Sequence, residues 1–234
     1  MIYKVLNHDG TPCRGGSGKW DLEGGWMPRI DEIEPCQRGY HLCDGEHQLV
    51  EWLGPVIWEA EWRGGRIDSG DKIVVSEARL VRKLATWNDR TARLFACDCA
   101  ERVLGLFESK YPGDMRPRKA IEVARCFAVG KASQAELEAA WSAARSAARN
   151  ADGGPAENAA WSASYAAWRA IRNAAGEAAS AARDAAAWNA VGDATGDVAR
   201  EAAWDAMDAE QKWQTKRLVR YLSGEEETME DGGQ

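Results

Sequence analysis

No stretch of the 234-residue chain approaches 18 apolar residues without a charge, which excludes a membrane-spanning helix. Histidine is scarce, with only His8, His41 and His47, so imidazole chemistry is confined to the first 50 residues. Six cysteines (Cys13, Cys36, Cys43, Cys97, Cys99 and Cys126) are far too few for a disulfide scaffold. They read as free thiols in a reducing compartment. Basic charge is also short, with 30 Lys and Arg against 37 Asp and Glu. Nonspecific nucleic-acid binding needs clustered cations, so a nucleic-acid partner is not expected. The opening MIYKVLNHDG has no basic segment leading into an apolar one, so a cytoplasmic protein without a secretory leader is predicted.

What is present divides into two styles. Residues 1–132 balance 20 basic against 20 acidic groups, whereas residues 133–234 carry 10 against 17, the whole net charge of -7. The first 70 residues hold 12 glycines between short apolar runs. IYKVL at 2–6 reads as a strand. Residues 10–28 read as a long Gly-rich loop pinned by Trp20 and Trp26. EHQLVEWL at 46–53 reads as a helical turn or two. PVIWEAEW at 55–62 alternates as a strand ended by Gly64 and Gly65, and 72–84 reads as one or two further strands.

From Trp87 onward the pattern is helical. Asn88 or Asp89 caps a run to about Ser109; Pro117 opens a second helix ending at Gly130; Ser133 with Glu136 forms a capping box for a third. DGGP at 152–155 restarts a fourth helix, which reaches Asn173 or beyond. Gly176 reads as a bend or boundary, and Gly192 and Gly196 as a weak point before a last helix to about Leu222. Residues 133–210 include 31 alanines, and AAW recurs at 159–161, 166–168, 186–188 and 202–204. Alanine forms helix readily but buries little area, so the indoles are expected to wedge between helices and anchor them. The expected fold class is α+β: a small mixed sheet domain (1–86) with a long Gly-rich loop, then an Ala/Trp-rich antiparallel helical bundle or short array (87–222). An acidic flexible tail (223–234) completes the chain.

Candidate chemistry concentrates in CQRGYHLCDGEH at 36–47. Cys36, His41, Cys43 and His47 offer thiolate and imidazole ligands for zinc, but their spacing lacks the CxxC knuckle of structural zinc sites. A structural turn with core cysteines accounts for the same residues. Glu59 and Glu61 share one strand face about 7 Å apart, which with His41 makes a weak acid–base candidate; a solvated sheet face explains them equally well. RGGSGKW at 14–20 is Gly-rich, yet Cys13 and Trp20 stand where a phosphate-binding loop needs Gly and Ser or Thr. It reads as a surface loop. CDC at 97–99 reads as core, and RPRK at 116–119 as a solvated helix start.

RLFACDCAERVLGLFESKYPGDMRPRKAIEVARCFAVGKASQAELEAAW, residues 93–141, resembles the helical module of immunity-protein-like families and of phage and bacterial proteins with Ala/Trp-rich C-terminal helices. The phrases YKVLNHDGTPCRGG, CQRGYHLC and GDKIVVSEARLVRKL are similar to the N-terminal domain that accompanies that module. The resemblance implies an α+β domain followed by helices and a setting of phage–host or toxin–immunity conflict. It supplies no catalytic residues. The acidic helical half, the many tryptophans and the failure of each catalytic motif together point to a non-enzymatic module that binds a protein, of inhibitor or immunity type. A small enzyme or zinc protein centred on residues 36–61 and a structural phage component are the alternatives.

Overall fold

The computed structural model describes residues 1–168, 171–192 and 194–225. Of the anticipated acidic tail, residues 226–234 lie outside the described residues. The architecture is α+β: four N-terminal strands, then an array of helices.

The strands are β1 (Ile2–Leu6), β2 (Tyr40–Asp44), β3 (Val56–Asp68) and β4 (Ile73–Lys83), with a four-residue helix α1 (Glu46–Leu49) between β2 and β3. They pair antiparallel throughout in the cyclic order β1-β2-β4-β3, a small closed barrel rather than an open sheet. Closure removes exposed strand edges. Alternation sends Leu6, Leu42, Ala60, Ile73, Val75, Ala78 and Leu80 into one apolar cluster with Trp20. The Gly-rich loop is thus pinned by a buried indole, as expected.

Two local features differ from the expected pattern. Residues 40–44 form a strand, although Gly and the Cys/His pair around them suggest a turn. Gly64 and Gly65 do not end β3. The strand runs on to Asp68 through a register shift between Arg63 and Arg66, where Gly64 takes a φ of +84°. Glycine there makes a bulge that tightens the barrel corner instead of a terminus.

The helices are α2 (Asp89–Lys110), α3 (Arg116–Ala128), α4 (Gln134–Asn150), α5 (Gly154–Ala166), α6 (Ile171–Val191) and α7 (Gly196–Ser223). Local chemistry sets their starts. The Asn88 side chain accepts from the Arg90 and Thr91 amides, and Ser133 with Glu136 forms a reciprocal capping box. Gly176 lies inside α6, not at a boundary. A Cβ there would sit 2.6 Å from Arg14 Nη2 and 3.4 Å from the Leu53 carbonyl, so its smallness lets α6 pass close to the barrel.

One cluster of buried residues spans both halves, joining Tyr3, Val5, Leu53 and Ile57 of the barrel to Phe95, Phe107 and the alanines of α4–α6. Trp87 sits at the junction and donates its indole N–H to the Gly54 carbonyl at 2.9 Å. Ala144, Ala148, Ala159, Ala160, Ala163, Ala178, Ala179, Ala182 and Ala185 are fully buried. The expected role of the indoles is therefore corrected. Alanine faces leave no space between helices for an indole, so tryptophans are displaced to the margins. Trp141, Trp161 and Trp213 flank the cluster half-buried, while Trp188 is 58% and Trp204 74% exposed.

Buried polar residues fasten the array. Arg93 of α2 donates from Nη1 to the carbonyls of Ala166 and Trp168 at 3.0 Å, placing a cation at the negative end of α5. Arg183 of α6 donates to Gln214 of α7, whose amide donates in turn to the Ala179 carbonyl.

Candidate functional site

The sequence candidates meet, in part, at a cavity of about 580 Å³ beside the barrel. Its wall is made by residues of β1 and β2, the Gly-rich loop, parts of the segment 27–39, Trp52 and Lys72. Tyr3, Lys4 and Val5 come from β1; His41 and Cys43, two apart on β2, come with them.

Within this cavity the Cys36 amide donates to His41 Nε2 at 2.9 Å, so that nitrogen is an acceptor. Burial lowers the His41 pKa, and the Lys4 and Lys72 ammonium groups lower it further. His41 is accordingly neutral at neutral pH. Burial pushes the Cys43 thiol up to about 12 and raises Cys13. Both stay protonated at neutral pH, which makes them poor nucleophiles. His47 does not join this group; it lies on α1, where its carbonyl accepts from Gln211. Among the described residues no three His, Cys, Asp or Glu side chains converge as a metal site.

The glutamates are not part of the cavity either. Glu61 is held by Arg79 at 2.6 Å, and Glu59 is paired with Arg82, both across the β3–β4 ladder. The cavity wall includes His41 but neither glutamate, so no acid–base constellation of the three forms.

What lines the cavity instead is positive charge: Lys4, Arg14, Lys19, Arg38 and Lys72, with no Asp or Glu in the wall. Lys4 is the innermost. Its ammonium donates to the His41 carbonyl at 2.9 Å and lies 4.9 Å from the centre of the Trp20 ring. Burial lowers its pKa to about 8, with Cys43 and Cys13 pulling weakly the other way. Burial also works against the Lys72 ammonium, but the adjacent Asp71 at 3.0 Å outweighs it and the net shift is upward. Composition gave no hint of this cluster, because its members are scattered from residue 4 to residue 72.

A second surface lies at the far edge of the helical array. The last part of α7 is tied down: Tyr221 and Arg217 bond Asp98 at 2.6 Å, and Arg102 pairs with Glu210. The first part is not. Buried residues of α7 begin only at Glu210, and residues 196–208 expose Val198, Trp204 and Met207 beside Asp197, Glu201, Asp205 and Asp208. Arg200 is the only basic residue among them. The Arg183–Gln214 and Gln214–Ala179 bonds fix the antiparallel register of α6 and α7. That register carries exposed Trp188 to within about one helical turn of Trp204 and Met207. No helix among the described residues is long and apolar enough to cross a membrane, so these indoles do not belong to a spanning segment.

CDC is core, as expected, whereas RPRK is less solvated than a free helix start: Pro117 is buried and its two arginines are half-buried in ion pairs. Arg116 pairs with Asp114 and Arg118 with Glu108, while Cys97 and Cys99 are fully buried. No curated protein and no solved structure matches the chain. A family model does match, over residues 82–221, which takes in α2–α7 and the end of β4 but none of the cavity wall. By that match the chain belongs to the Imm-5 like putative immunity protein family.

Proposed function

We propose that the protein is an immunity-type module that binds and blocks a basic partner protein through the outer edge of α6 and α7. The observation that carries this reading is the exposure of Trp188, Val198, Trp204 and Met207 at one end of the helical array. Isolated exposed apolar residues are ordinary, but a large apolar surface rimmed by charge marks an interaction site. Tryptophan is the residue type most enriched among interface residues that dominate binding energy. Here the surrounding charge is predominantly negative, with four carboxylates and one guanidinium between residues 196 and 208. A partner with a basic face and an apolar pocket complements both features, and the opposite charges would accelerate its encounter. Membership of an immunity-type family supports the same assignment.

The test is a comparison of the intact chain with a Trp188→Ala/Trp204→Ala double variant as capture baits. A basic protein held by the first and released by the second is expected. Its toxicity on production should be relieved by co-production of the intact chain only. Equal capture by both baits, or unrelieved toxicity, would overturn the reading.

A further inference from the structure

We propose that the cavity beside the barrel is a binding site for a small organic phosphate ester, separate from the protein-binding edge. Three features of the wall lead to this ligand class. The first is charge. In a chain whose acids outnumber its bases by seven, the wall contains five cationic side chains and no carboxylate, although Arg38 and Lys72 are paired with Glu32 and Asp71 just outside it. Cations that serve only the fold are ordinarily paired, as Arg79 and Arg82 are with Glu61 and Glu59 on the outside of the same barrel. Lys4 and Arg14 make no ion pair among the described residues; each bonds one backbone carbonyl, of His41 and of Leu53 respectively. A sheltered ammonium without a counterion is costly to the fold and is retained most readily where a ligand supplies the missing charge.

The second feature is the loop. From Cys13 to Lys19 no backbone amide donates to an acceptor among the described residues; the first that does is Trp20, to the Gly10 carbonyl at 3.0 Å. Gly15, Gly16 and Gly18 all hold φ between +81° and +94°, a conformation that ordinary residues resist. The exposed loop thus keeps its amides, with the Ser17 hydroxyl, free of protein acceptors among the described residues, beside the wall it shares with Lys4. Backbone donors with a lysine and an arginine suit an anion with several acceptor oxygens, which phosphate offers. The arrangement differs from a strand–loop–helix phosphate site, since no helix follows the loop.

The third feature is size. About 580 Å³ lies within the roughly 300–1,000 Å³ of small-molecule sites and far exceeds a lone phosphate. Tyr3, Trp52 and Tyr40 supply apolar wall for the rest of an ester.

Calorimetric titration of the full chain at neutral pH and low salt tests the assignment, with inorganic phosphate, ribose 5-phosphate, adenosine 5′-monophosphate and uncharged adenosine as probes. At least one ester is expected to bind about ten-fold or more tightly than inorganic phosphate, with adenosine silent. Lys4→Met should weaken that ester by about ten-fold or more, and Arg14→Met does the same should the first variant not fold. The Trp188→Ala/Trp204→Ala variant should bind the ester normally, which separates this site from the protein-binding edge. Absence of binding by every phosphate up to about 5 mM, equal binding of adenosine and its phosphate, a preference for inorganic phosphate, or indifference to both cavity substitutions would each overturn the proposal.

Discussion

Asp98 on α2 accepts a hydrogen bond from the Tyr221 hydroxyl at 2.6 Å, although 123 residues separate the two. The same carboxylate receives Arg217 at 2.6 Å and Arg125 at 2.8 Å, so α2, α3 and α7 meet on one buried charge. Burial and the Asp98 charge both raise the Tyr221 pKa, which keeps its proton available for this bond. The final turns of α7 depend on this junction because the buried residues of that helix begin only at Glu210. Asp98→Ala removes the acceptor shared by Tyr221, Arg217 and Arg125, although Arg125 keeps Glu101 at 2.5 Å. Its expected cost is about 3–5 kcal/mol, the range for breaking a buried pair by removing one partner. Urea unfolding measures it, and amide exchange should show protection lost first in residues 210–223.

Trp87 joins barrel to helices by shape and by one hydrogen bond. Its indole packs edge-on against Phe95, with ring centres 6.0 Å apart, and its N–H satisfies the Gly54 carbonyl. Trp87→Phe keeps an aromatic ring but leaves that buried carbonyl unpaired. A loss of about 1–3 kcal/mol is expected. Thermal unfolding followed separately in the barrel and in the helices should still show one transition, because the core is shared.

The alanine interior makes a paired prediction about size. Ala163 is fully buried in α5, where a larger side chain has nowhere to go. Ala163→Leu should cost about 1–3 kcal/mol through overpacking. Trp204→Ala, by contrast, removes the largest side-chain type from a site 74% exposed, so stability should change by no more than about 0.5 kcal/mol. Chemical denaturation of the two variants decides between an alanine core and an indole core.

Helix starts were legible because their chemistry is local: Asn88, Ser133 with Glu136, and Pro117 each act within one turn. Strands β1 and β4 were legible from alternation and β-branched residues. Strand β2 was not, because Tyr40–Asp44 owes its extended form to pairing with β1 and β4, which are distant in sequence. Gly176 looked like a boundary because its reason for being small is Arg14, more than 150 residues away. The indoles were misplaced because alanine's low apolar area argued for larger anchors, whereas close backbone approach shuts those anchors out. Of the candidate site, Cys36, His41 and Cys43 were singled out as chemistry-bearing residues and do line one cavity. The lysines that define its charge were invisible, since Lys4 and Lys72 come together only when the barrel closes.

Lys4 gives the last prediction, in which stability and ligand binding move in opposite directions. Burial lowers its folded pKa to about 8 from an ordinary value of 10.5, so the folded protein disfavours the ammonium that the unfolded chain carries freely. Below pH 8 the group is protonated in both states, and the desolvation penalty on the fold is present in full. Between pH 8 and 10.5 the unfolded chain binds more protons than the folded one, so stability from this group rises with pH. Cys43, pushed up to about 12 from an ordinary 9.0, acts in the opposite sense because its thiol ionises first in the unfolded chain, so only the difference between the chain and a Lys4 variant isolates the Lys4 effect. Lys4→Met removes the penalty while filling similar space, so the variant should be the more stable protein below pH 8, with an advantage that fades as pH approaches 10.5. Paired urea unfolding curves across that range supply the measurement. A stability gap independent of pH would show that the Lys4 ammonium is hydrated in the folded state.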